Sequence, residues 1–430
     1  MTPEPIYMPP VPRARFLRRL IGFRKRLSWK QAVTALKYPN YRLWFWGQII
    51  SLFGTWMEST ALGFLVFDLT KSPAYLGLIG FAGGIPTWMF MLYAGVIADR
   101  MSRRTLLMIT QTVMMLLAFI LAVLTFLHWV QPWHILVIAL LLGAANAFEA
   151  PARQSFVLEM VEPEDMTNAI ALNAAMFNSA MAIGPAAAGL IYAFLGPAWC
   201  FALNGASFLA VIVNLQRMKL RPFVPPAEKT SAIEDLKEGL KFVAHHSLIR
   251  TIIGLIGVVS VVGISFVTLF PAWAVDVLHG DAKTNGFLQS ARGLGAVTAA
   301  LLIASLGRFR FRGKLLTFGT FALPATVALF ALVRWTPLSL VFVFGTGLSH
   351  ILIFNLSNAL VQTNSPDALR GRIMGVYTMT FFGLLPLGAL GMGFAAQHLG
   401  SPAAVLIGAG AMITAAAALA VTMPHLRRHE

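Results

Sequence analysis

A few ionisable side chains stand inside long apolar stretches of this sequence. Glu58, Arg292 and His350 lie away from the ends of such stretches, and Glu149 and Arg153 stand four residues apart in another. A charge inside hydrocarbon costs at least about 2.5 kcal/mol, so each of these residues needs a partner or a task. A carboxyl group away from water is stabilised in its neutral form, so that it can take up and release a proton. Glu58 is the main candidate for a proton carrier, and His350 is the second.

From the sequence alone, a second role is open for each of these residues. Glu58 could be the counter-charge of a cationic ligand, or a structural partner of Arg292 or His350. His350 could equally be a hydrogen-bonded histidine of the core. Glu149 precedes Arg153 by four residues, an order that favours an ion pair within one helix. We expect that pair to be structural or part of a gate on the cytoplasmic side.

Amides and aromatic residues in the apolar stretches are candidates for lining a binding cavity. An amide is costly in an apolar environment unless it is hydrogen-bonded, and an aromatic ring offers apolar surface to a ligand. The cavity candidates are Gln48, Trp56, Trp88, Asn146, Arg292, Phe354, Asn355 and Asn358. Most aromatic residues of a helical bundle only pack, so this role is an expectation for each of them.

Helices that cross a membrane must position these residues. The chain has 430 residues, of which 57% are hydrophobic and 12% charged, whereas a soluble domain has about 25% charged residues. About 20 apolar residues span a bilayer core. The segments that meet this requirement are 43–67, 75–98, 105–128, 133–155, 167–194, 197–216, 249–275, 284–306, 314–334, 338–362, 370–396 and 402–423. The fold class is therefore an all-α membrane protein.

Lysine and arginine predict the orientation of these helices. With the N-terminus in the cytoplasm, 28 of the 33 basic residues fall in cytoplasmic segments, and only Lys71, Lys283 and Arg334 fall in external ones. This bias is the rule for membrane proteins, and it predicts that both termini are cytoplasmic. The net charge of +16 follows from the topology, so we expect no nucleic-acid partner.

The two halves of the chain repeat each other. Gly184 and Gly189 match Gly388 and Gly393 at a shift of about 204 residues. At a shift of about 209 residues, the matching series are Gly77, Gly84 and Arg103 with Gly286, Gly293 and Arg312. Many secondary transporters are built from two such halves, with the substrate path between them.

The predicted organisation has five parts. A basic cytoplasmic segment (1–42) precedes a six-helix half (43–216), and a cytoplasmic linker (217–248) leads to a second six-helix half (249–423) and a cytoplasmic tail (424–430). Within the linker, Ile233–Ala244 has the apolar spacing of an amphipathic helix.

The loop after the second predicted helix carries a recognisable pattern. Its residues are Gly95, Asp99, Arg100, Arg103 and Arg104, in the order G-x-x-x-D-R-x-x-R-R. This pattern resembles the cytoplasmic signature of the major facilitator superfamily, where it is thought to stabilise one gate state against the eleventh helix. The resemblance implies twelve helices in two pseudo-symmetric halves and pairs Asp99 with the stretch 370–372. From the residues alone, Gly95 permits close helix packing and the arginines set the topology.

The fifth predicted helix carries a second pattern. Gly184, Pro185 and Gly189 stand in a run similar to the antiporter signature of the superfamily, G-x-x-x-G-P-x-x-G-G, with Ala180 and Ala188 in place of two glycines. Small residues let helices touch, and a proline bends a helix. In the superfamily this signature accompanies exporters. The mid-helix arginine that drug antiporters often carry in the fourth helix is missing from this sequence.

Beyond the superfamily, three stretches resemble its bacterial enterobactin-exporter and macrolide-efflux branch: 151–154, the run through Gly184 and Pro185, and 369–372. The resemblance implies a secondary active transporter that exports an amphipathic small organic molecule of the drug, macrolide or siderophore class by proton antiport with alternating access. An importer of small solutes, a lipid flippase and a non-transporting receptor are the alternatives.

The sequence suggests no enzyme, because it has no Walker-type loop, no cluster of metal ligands and a single cysteine, Cys200. We expect no cofactor and no metal. The expected partners are a small-molecule substrate, protons and membrane lipids, and the expected form is a monomer in the bacterial inner membrane.

Overall fold

The computed structural model describes residues 33–220, 232–306 and 311–422. The basic segment before residue 33, the start of the linker and the predicted tail (424–430) lie outside the described residues, as does the side chain of Asp99.

Twelve helices within the described residues are long and apolar enough to cross a membrane. Those of the first half are α1 (Pro39–Thr70), α2 (Pro73–Arg100), α3 (Arg103–Phe126), α4 (Pro132–Phe156), α5 (Met166–Leu195) and α6 (Pro197–Arg217). Those of the second half are α7 (Ser247–Val277), α8 (Ala282–Leu306), α9 (Arg312–Leu332), α10 (Thr336–Thr363), α11 (Arg370–Leu399) and α12 (Ser401–Thr422). The predicted fold class is confirmed, with bounds that differ from the predicted ones by a few residues.

Proline marks the start of several spans. Pro39, Pro73, Pro132 and Pro197 are the first residues of α1, α2, α4 and α6. At the first helical position the missing N–H of proline costs nothing, and its fixed backbone angle suits a helix. The connections before α2 and α6 are only Lys71–Ser72 and Gly196, so these neighbouring helices are tied closely together.

A thirteenth helix, Ala232–His245, lies between the halves and is called the central helix here. It confirms the amphipathic helix predicted in the linker. Arg372, at the start of α11, donates to Asp235 of the central helix at 2.7 Å and is also ion-paired with Glu238. These contacts fix the central helix to the second half. The end of the bundle that carries it is called the central-helix end.

The span α7 is irregular. It begins as an α-helix (Ser247–Val258), widens into a π turn (Val259–Gly263), tightens into a 3-10 turn (Ser265–Leu269) and ends in a second π turn (Trp273–Val277). Near the second π turn, α7 reaches the first half, where the position of a Cβ on Gly63 of α1 would lie 3.6 Å from Pro271. Such π turns are rare and often occur near functional sites.

Two helix pairs join the halves, α2 with α11 and α5 with α8. Glycines of the internal repeat lie in both pairs. A Cβ on Gly77 of α2 would lie 3.0 Å from the Cα of Gly393 in α11, and one on Gly286 of α8 would lie 3.1 Å from the Cα of Gly189 in α5. Only glycine permits backbones this close. The repeat in the sequence is therefore a pair of equivalent contacts between the halves, near the end opposite the central helix.

Toward the central-helix end, α2 and α11 separate. The last close glycine contact between them in the described residues is that of Gly383 with the ring of Trp88. Beyond it, Gly95, Gly371 and Gly375 have no described atom within 4 Å of the position of a Cβ. The close glycine contacts between α2 and α11 thus end near Trp88 and Gly383, and we interpret their loss beyond this level as a cleft that opens toward the central-helix end, with its floor near these two residues.

A short 3-10 turn, Thr34–Lys37, ties the beginning of α1 to α5. The ammonium group of Lys37 lies 2.5 Å from the carboxylate of Asp165, which also accepts a hydrogen bond from Tyr38 at 2.8 Å. The hydrogen bond with Asp165 raises the pKa of Lys37, so this ion pair persists throughout the neutral range.

Candidate functional site

Glu58 lies inside the first half, between α1 and α6. It is 5% exposed, and its Oε2 accepts a hydrogen bond from the side-chain amide of Asn204. The hydroxyl of Ser207 lies 3.1 Å from the amide oxygen of Asn204 and 2.7 Å from its backbone carbonyl, which is the nearer acceptor for the single hydroxyl proton. Gly54, one turn before Glu58, allows the approach, because a Cβ there would lie 3.1 Å from the Cα of Asn204.

This location corrects one of the alternatives proposed from the sequence. In this conformation Glu58 is bonded to Asn204, and it forms no ion pair or hydrogen bond with Arg292 or His350 among the described residues. Its second oxygen, Oε1, is buried and has no hydrogen-bond partner in the described part of the chain. The acid therefore has one satisfied and one unsatisfied oxygen, in a site that is closed to water.

Arg292 and His350 lie together in the second half, where α8 crosses α10. A Cβ on Gly347 of α10 would lie 3.1 Å from the Cα of Arg292, so the two helices touch one turn before His350. Next to Arg292, Gly293 makes the last close glycine contact between α8 and α5, with the carbonyl of Met181. The pair therefore lies at the depth of the cleft floor.

Neither side chain has a polar partner in the described structure. The Nε of Arg292 and the Nε2 of His350 are buried and without a hydrogen bond to described residues. Arg292 is only half-buried as a whole, whereas His350 is 8% exposed. No ion pair with Arg292 occurs among the described residues. The arrangement leaves an uncompensated positive charge at the floor of the cleft.

Aromatic rings surround His350. Its ring stacks on Phe381 of α11 at 6.0 Å with 23° between the planes, and Phe354 lies 4.8 Å from Phe381. The hydroxyl of Tyr377 donates to the carbonyl of Phe354 at 3.0 Å and locks this group. Of these rings, the sequence analysis selected Phe354 and missed Phe381 and Tyr377, because nothing in the sequence of α11 marks which of its aromatic residues face inward.

The stripe Asn285, Gln289 and Arg292 on α8 is a further feature that the sequence analysis missed. These residues are spaced by four and three positions and therefore lie on one face of the helix. Asn285 is fully buried, and neither atom of its amide has a hydrogen-bond partner among the described residues. The spacing alone could have revealed this polar face.

The other cavity candidates are scattered. Gln48 is buried, with an unpartnered oxygen among the described groups, and therefore does not open onto the cleft. The amide of Asn146 is exposed but donates to Leu142 of its own helix at 2.9 Å, and Asn358 accepts from Gln362 at 2.7 Å. Asn355 is half-buried.

Two tryptophans of the cavity set differ in their surroundings. Trp56 packs edge-on against Phe177 of α5 at 5.7 Å, within the first half. Trp88 is 38% exposed and touches Gly383 of α11, at the junction of the halves. Of the two, Trp88 is the one at the floor of the cleft.

The predicted ion pair of α4 is confirmed. The Nε of Arg153 lies 3.0 Å from Oε1 of Glu149, near the central-helix end of the helix. Its contribution to a gate stays a prediction.

The loop motif after α2 has a clear structural part. Arg103 is ion-paired with Glu159 beyond α4, and Arg104 donates to the carbonyl of Gln216 at the end of α6 at 2.9 Å. Arg100 is exposed. Gly95 has no described atom within 4 Å of its Cβ position, and the close packing predicted for it stays a prediction. The pairing of Asp99 with the start of α11 concerns a side chain that is not described.

The antiporter-like motif of α5 contacts helices on two sides. A Cβ on Gly184 would lie 2.8 Å from the Cβ of Trp56 in α1, and one on Gly189 would lie 2.9 Å from the Cα of Lys283 in α8. Pro185 lies between them, and the next residue, Ala186, donates its N–H to Ser290 of α8 at 2.9 Å. The motif thus joins the halves through α5 and α8.

The described residues contain no group of three or more His, Cys, Asp or Glu side chains that could hold a metal ion. The functional features are instead a cleft between two six-helix halves, a buried acid beside it and a cationic, aromatic floor. Together with twelve spanning helices, these features define a membrane transporter of the two-half type.

Comparisons with known proteins agree with this class. Residues 31–430 match the model of the transmembrane secretion effector family, and the chain belongs to that family of the major facilitator superfamily. The resemblance stated from the loop and helix motifs is therefore confirmed.

Similar proteins carry export and transport names. The chain is 26% identical to the staphyloferrin A transporter of Staphylococcus aureus, over 84% of this chain and 90% of that protein. It is also 26% identical to the multidrug efflux pump Tap of Mycolicibacterium fortuitum, over 87% and 93%, and to the enterobactin exporter EntS of Escherichia coli, over 82% and 84%. Among solved structures, the nucleoside transporter NupG superimposes with a TM-score of 0.69 at 17% identity, over 89% of this chain and 99% of that one. That likeness concerns the fold alone.

Proposed function

We propose that this transporter exports an amphipathic small organic molecule from the cytoplasm by proton antiport with alternating access. The observation that carries the proposal is the end of the α2–α11 contacts near Trp88 and Gly383, which we interpret as a cleft. It opens at the central-helix end, which is the end that the basic residues assign to the cytoplasm. A substrate would enter from the cytoplasm and leave after the halves have rocked about the α2–α11 and α5–α8 contacts.

The siderophore and multidrug names of similar proteins support export as the direction. The proposed cargo spans these classes, because the cleft floor offers both aromatic and charged groups. Release at the far side requires the glycine contacts near that end to open. Contacts between backbones at glycine involve few interlocked side chains, so they can separate and re-form.

Glu58 is the proposed proton carrier. A carboxylate accepts hydrogen bonds only, whereas a protonated carboxyl group also donates one. Protonation of Glu58 therefore changes its hydrogen bonding with Asn204 of α6, and we expect this change to shift α1 relative to α6. Because α1 also contacts α7 and α8 of the second half, such a shift would connect the proton to the state of the halves.

Everted membrane vesicles from a bacterium that expresses the chain test this function. The vesicle interior is made acidic relative to the medium, and fluorescent amphipathic compounds and a siderophore are added outside. We expect accumulation that collapses when a protonophore is added. Uptake into intact cells instead identifies an importer, and a change in membrane lipid composition on deletion of the gene identifies a lipid flippase. Accumulation that survives the protonophore contradicts proton coupling.

A further inference from the structure

The second half of the protein has almost no acidic residues. Between positions 249 and 422 the sequence contains three acids, Asp276, Asp281 and Asp367, and each lies near the end of a span. None of them is at the depth of Arg292. A positive charge in the middle of this half therefore has no built-in counter-charge from its own side.

The first half offers no counter-charge either. Apart from Asp68 and Asp99 at the ends of α1 and α2, the acids within its spans are Glu58 and Glu149. Glu58 accepts a hydrogen bond from Asn204 of α6, and Glu149 is ion-paired with Arg153 on its own helix. Removing a guanidinium from water without an anion costs several kcal/mol. The charge of Arg292 at the cleft floor would therefore be compensated by an anion that is not part of the protein.

Several donors converge at this place. The Nε of Arg292 and the Nε2 of His350 are unpartnered among the described groups, and His350 is more than nine-tenths buried. On the same face of α8, Gln289 is half-buried one turn before Arg292, whereas the fully buried Asn285 lies two turns before it, beside the α5–α8 contact of Gly286. A guanidinium presents a fork of N–H groups that matches a carboxylate or another oxyanion.

An apolar surface adjoins the donors. Phe381 stacks on His350, and Phe354 packs on Phe381. Trp88 of α2 is partly exposed beside Gly383, two residues further along α11. A ligand with a charged head at Arg292 can thus place its apolar part on aromatic rings from both halves.

From this juxtaposition we infer that the transported molecule carries an oxyanion, such as a carboxylate, which Arg292 and His350 bind at the floor of the cleft while its apolar part lies on Phe354, Phe381 and Trp88. This inference rests on the proposed export function and narrows it, because it favours anionic amphipaths over cationic drugs.

A set of three pyrene probes tests the charge preference. Pyrenebutyrate, pyrenebutanol and pyrenebutyltrimethylammonium share one apolar ring system and carry a negative, neutral or positive head. Binding is measured by fluorescence with the purified chain in lipid nanodiscs, and the signal of empty nanodiscs is subtracted. We expect pyrenebutyrate to bind at least about tenfold more tightly than the other two.

Substitutions locate the preference. Arg292→Gln is expected to abolish it, Arg292→Lys to keep part of it because the charge remains without the fork, and His350→Gln to weaken it by a few-fold. Lys71→Gln, which removes an exposed charge at the far end, is the matched control. If Arg292→Gln does not fold, the probe series with the unaltered chain decides alone. Equal binding of the three probes, or a preference for the cation, overturns the inference.

The same probes in everted vesicles separate this inference from the proposed function. If pyrenebutyrate binds in an Arg292-dependent manner but no probe accumulates, the anion site stands and the export function fails. If the cationic probe accumulates and Arg292→Gln has no effect, the export function stands and the anion site fails.

Discussion

A buried carboxyl group with one satisfied oxygen costs free energy, and such a residue persists where its protonation state changes during function. Glu58 is in this position. Glu58→Gln retains the size and an acceptor for Asn204 but removes the titratable group. We expect proton-driven export to fall by about tenfold or more, with no dependence on pH between about 6 and 8 in the residual activity.

Asp68→Asn is the matched control, since Asp68 lies on the same helix, exposed and paired with Lys71. It is expected to transport normally. Export by Glu58→Gln that equals the unaltered protein across this pH range removes Glu58 from the proton path.

The contact between Glu58 and Asn204 is also expected to stabilise the first half. Replacing Asn204 with Leu leaves a buried acid with no donor, which should lower the free energy of unfolding by about 1–3 kcal/mol. In the Glu58→Gln background the loss should be smaller, because no carboxylate remains. Thermal unfolding in detergent, carried out as a double-mutant cycle, measures the difference.

Asn214→Leu provides the comparison, because Asn214 on the same helix donates to the uncharged carbonyl of Leu43 at 3.0 Å. Its effect should be the same with and without Glu58→Gln. If Asn204→Leu lowers the free energy of unfolding equally in both backgrounds, then Asn204 does not stabilise the first half through its hydrogen bond with Glu58.

At the scale of the helices, sequence alone placed the spans but not their faces. Composition and length predict twelve spans, since lipid demands a fixed run of apolar residues. In a membrane, however, both the core and the lipid-facing surface are apolar, so periodicity does not show which side of α1 carries Glu58 toward α6. The partner Asn204 and the ring of Phe381 depend on that rotation, and only the structure gives them.

Glycine is the residue type from which the inward face of a helix could be predicted, because recurring glycines mark places where two helix backbones come close together. The repeat of Gly77 and Gly286 in the sequence predicted equivalent halves, and the structure shows both glycines at equivalent contacts between the halves, with Gly393 and Gly189. A small residue thus carries positional information that a leucine in the same helix does not.

The α5–α8 contact is expected to control the closure of the far end. In Gly189→Ala the added Cβ would lie 2.6 Å from the carbonyl oxygen of Ala282 and 2.9 Å from the Cα of Lys283, so the helices must part. Overpacking of this kind costs about 1–3 kcal/mol. We expect the fraction of molecules closed at that end to fall by about tenfold.

Electron–electron double resonance measures the distance between the two halves at the far end. The spin labels are attached to cysteines that replace the exposed Asp68 and Asp281, in a Cys200→Ser background. Gly391→Ala on α11 is the control, because no described atom lies within 4 Å of its Cβ position. Unchanged label distances in Gly189→Ala would show that this contact does not hold the halves together.

For the whole molecule, the two states of a rocking transporter must differ in their contacts, since a state is favoured only by interactions that it alone makes. In the cleft-open structure, Arg372 is held by Asp235 and Glu238 of the central helix. The superfamily motif implies that Asp99 approaches the start of α11 when this end closes. Arg372 would then have different acidic partners in the two states.

Opposite substitutions should therefore shift the states in opposite directions. Asp99→Asn is expected to favour the cleft-open state, whereas Asp235→Asn combined with Glu238→Gln is expected to favour closure at the central-helix end. Each partly exposed pair contributes about 0.2–1 kcal/mol, so the populations should change by about two- to fivefold. Spin labels at Glu164 and Thr363, on opposite halves at this end, measure the change. If both variants shift the distance in the same direction, or Asp99→Asn shifts nothing, then Arg372 is not exchanged between partners and the loop motif sets only the topology.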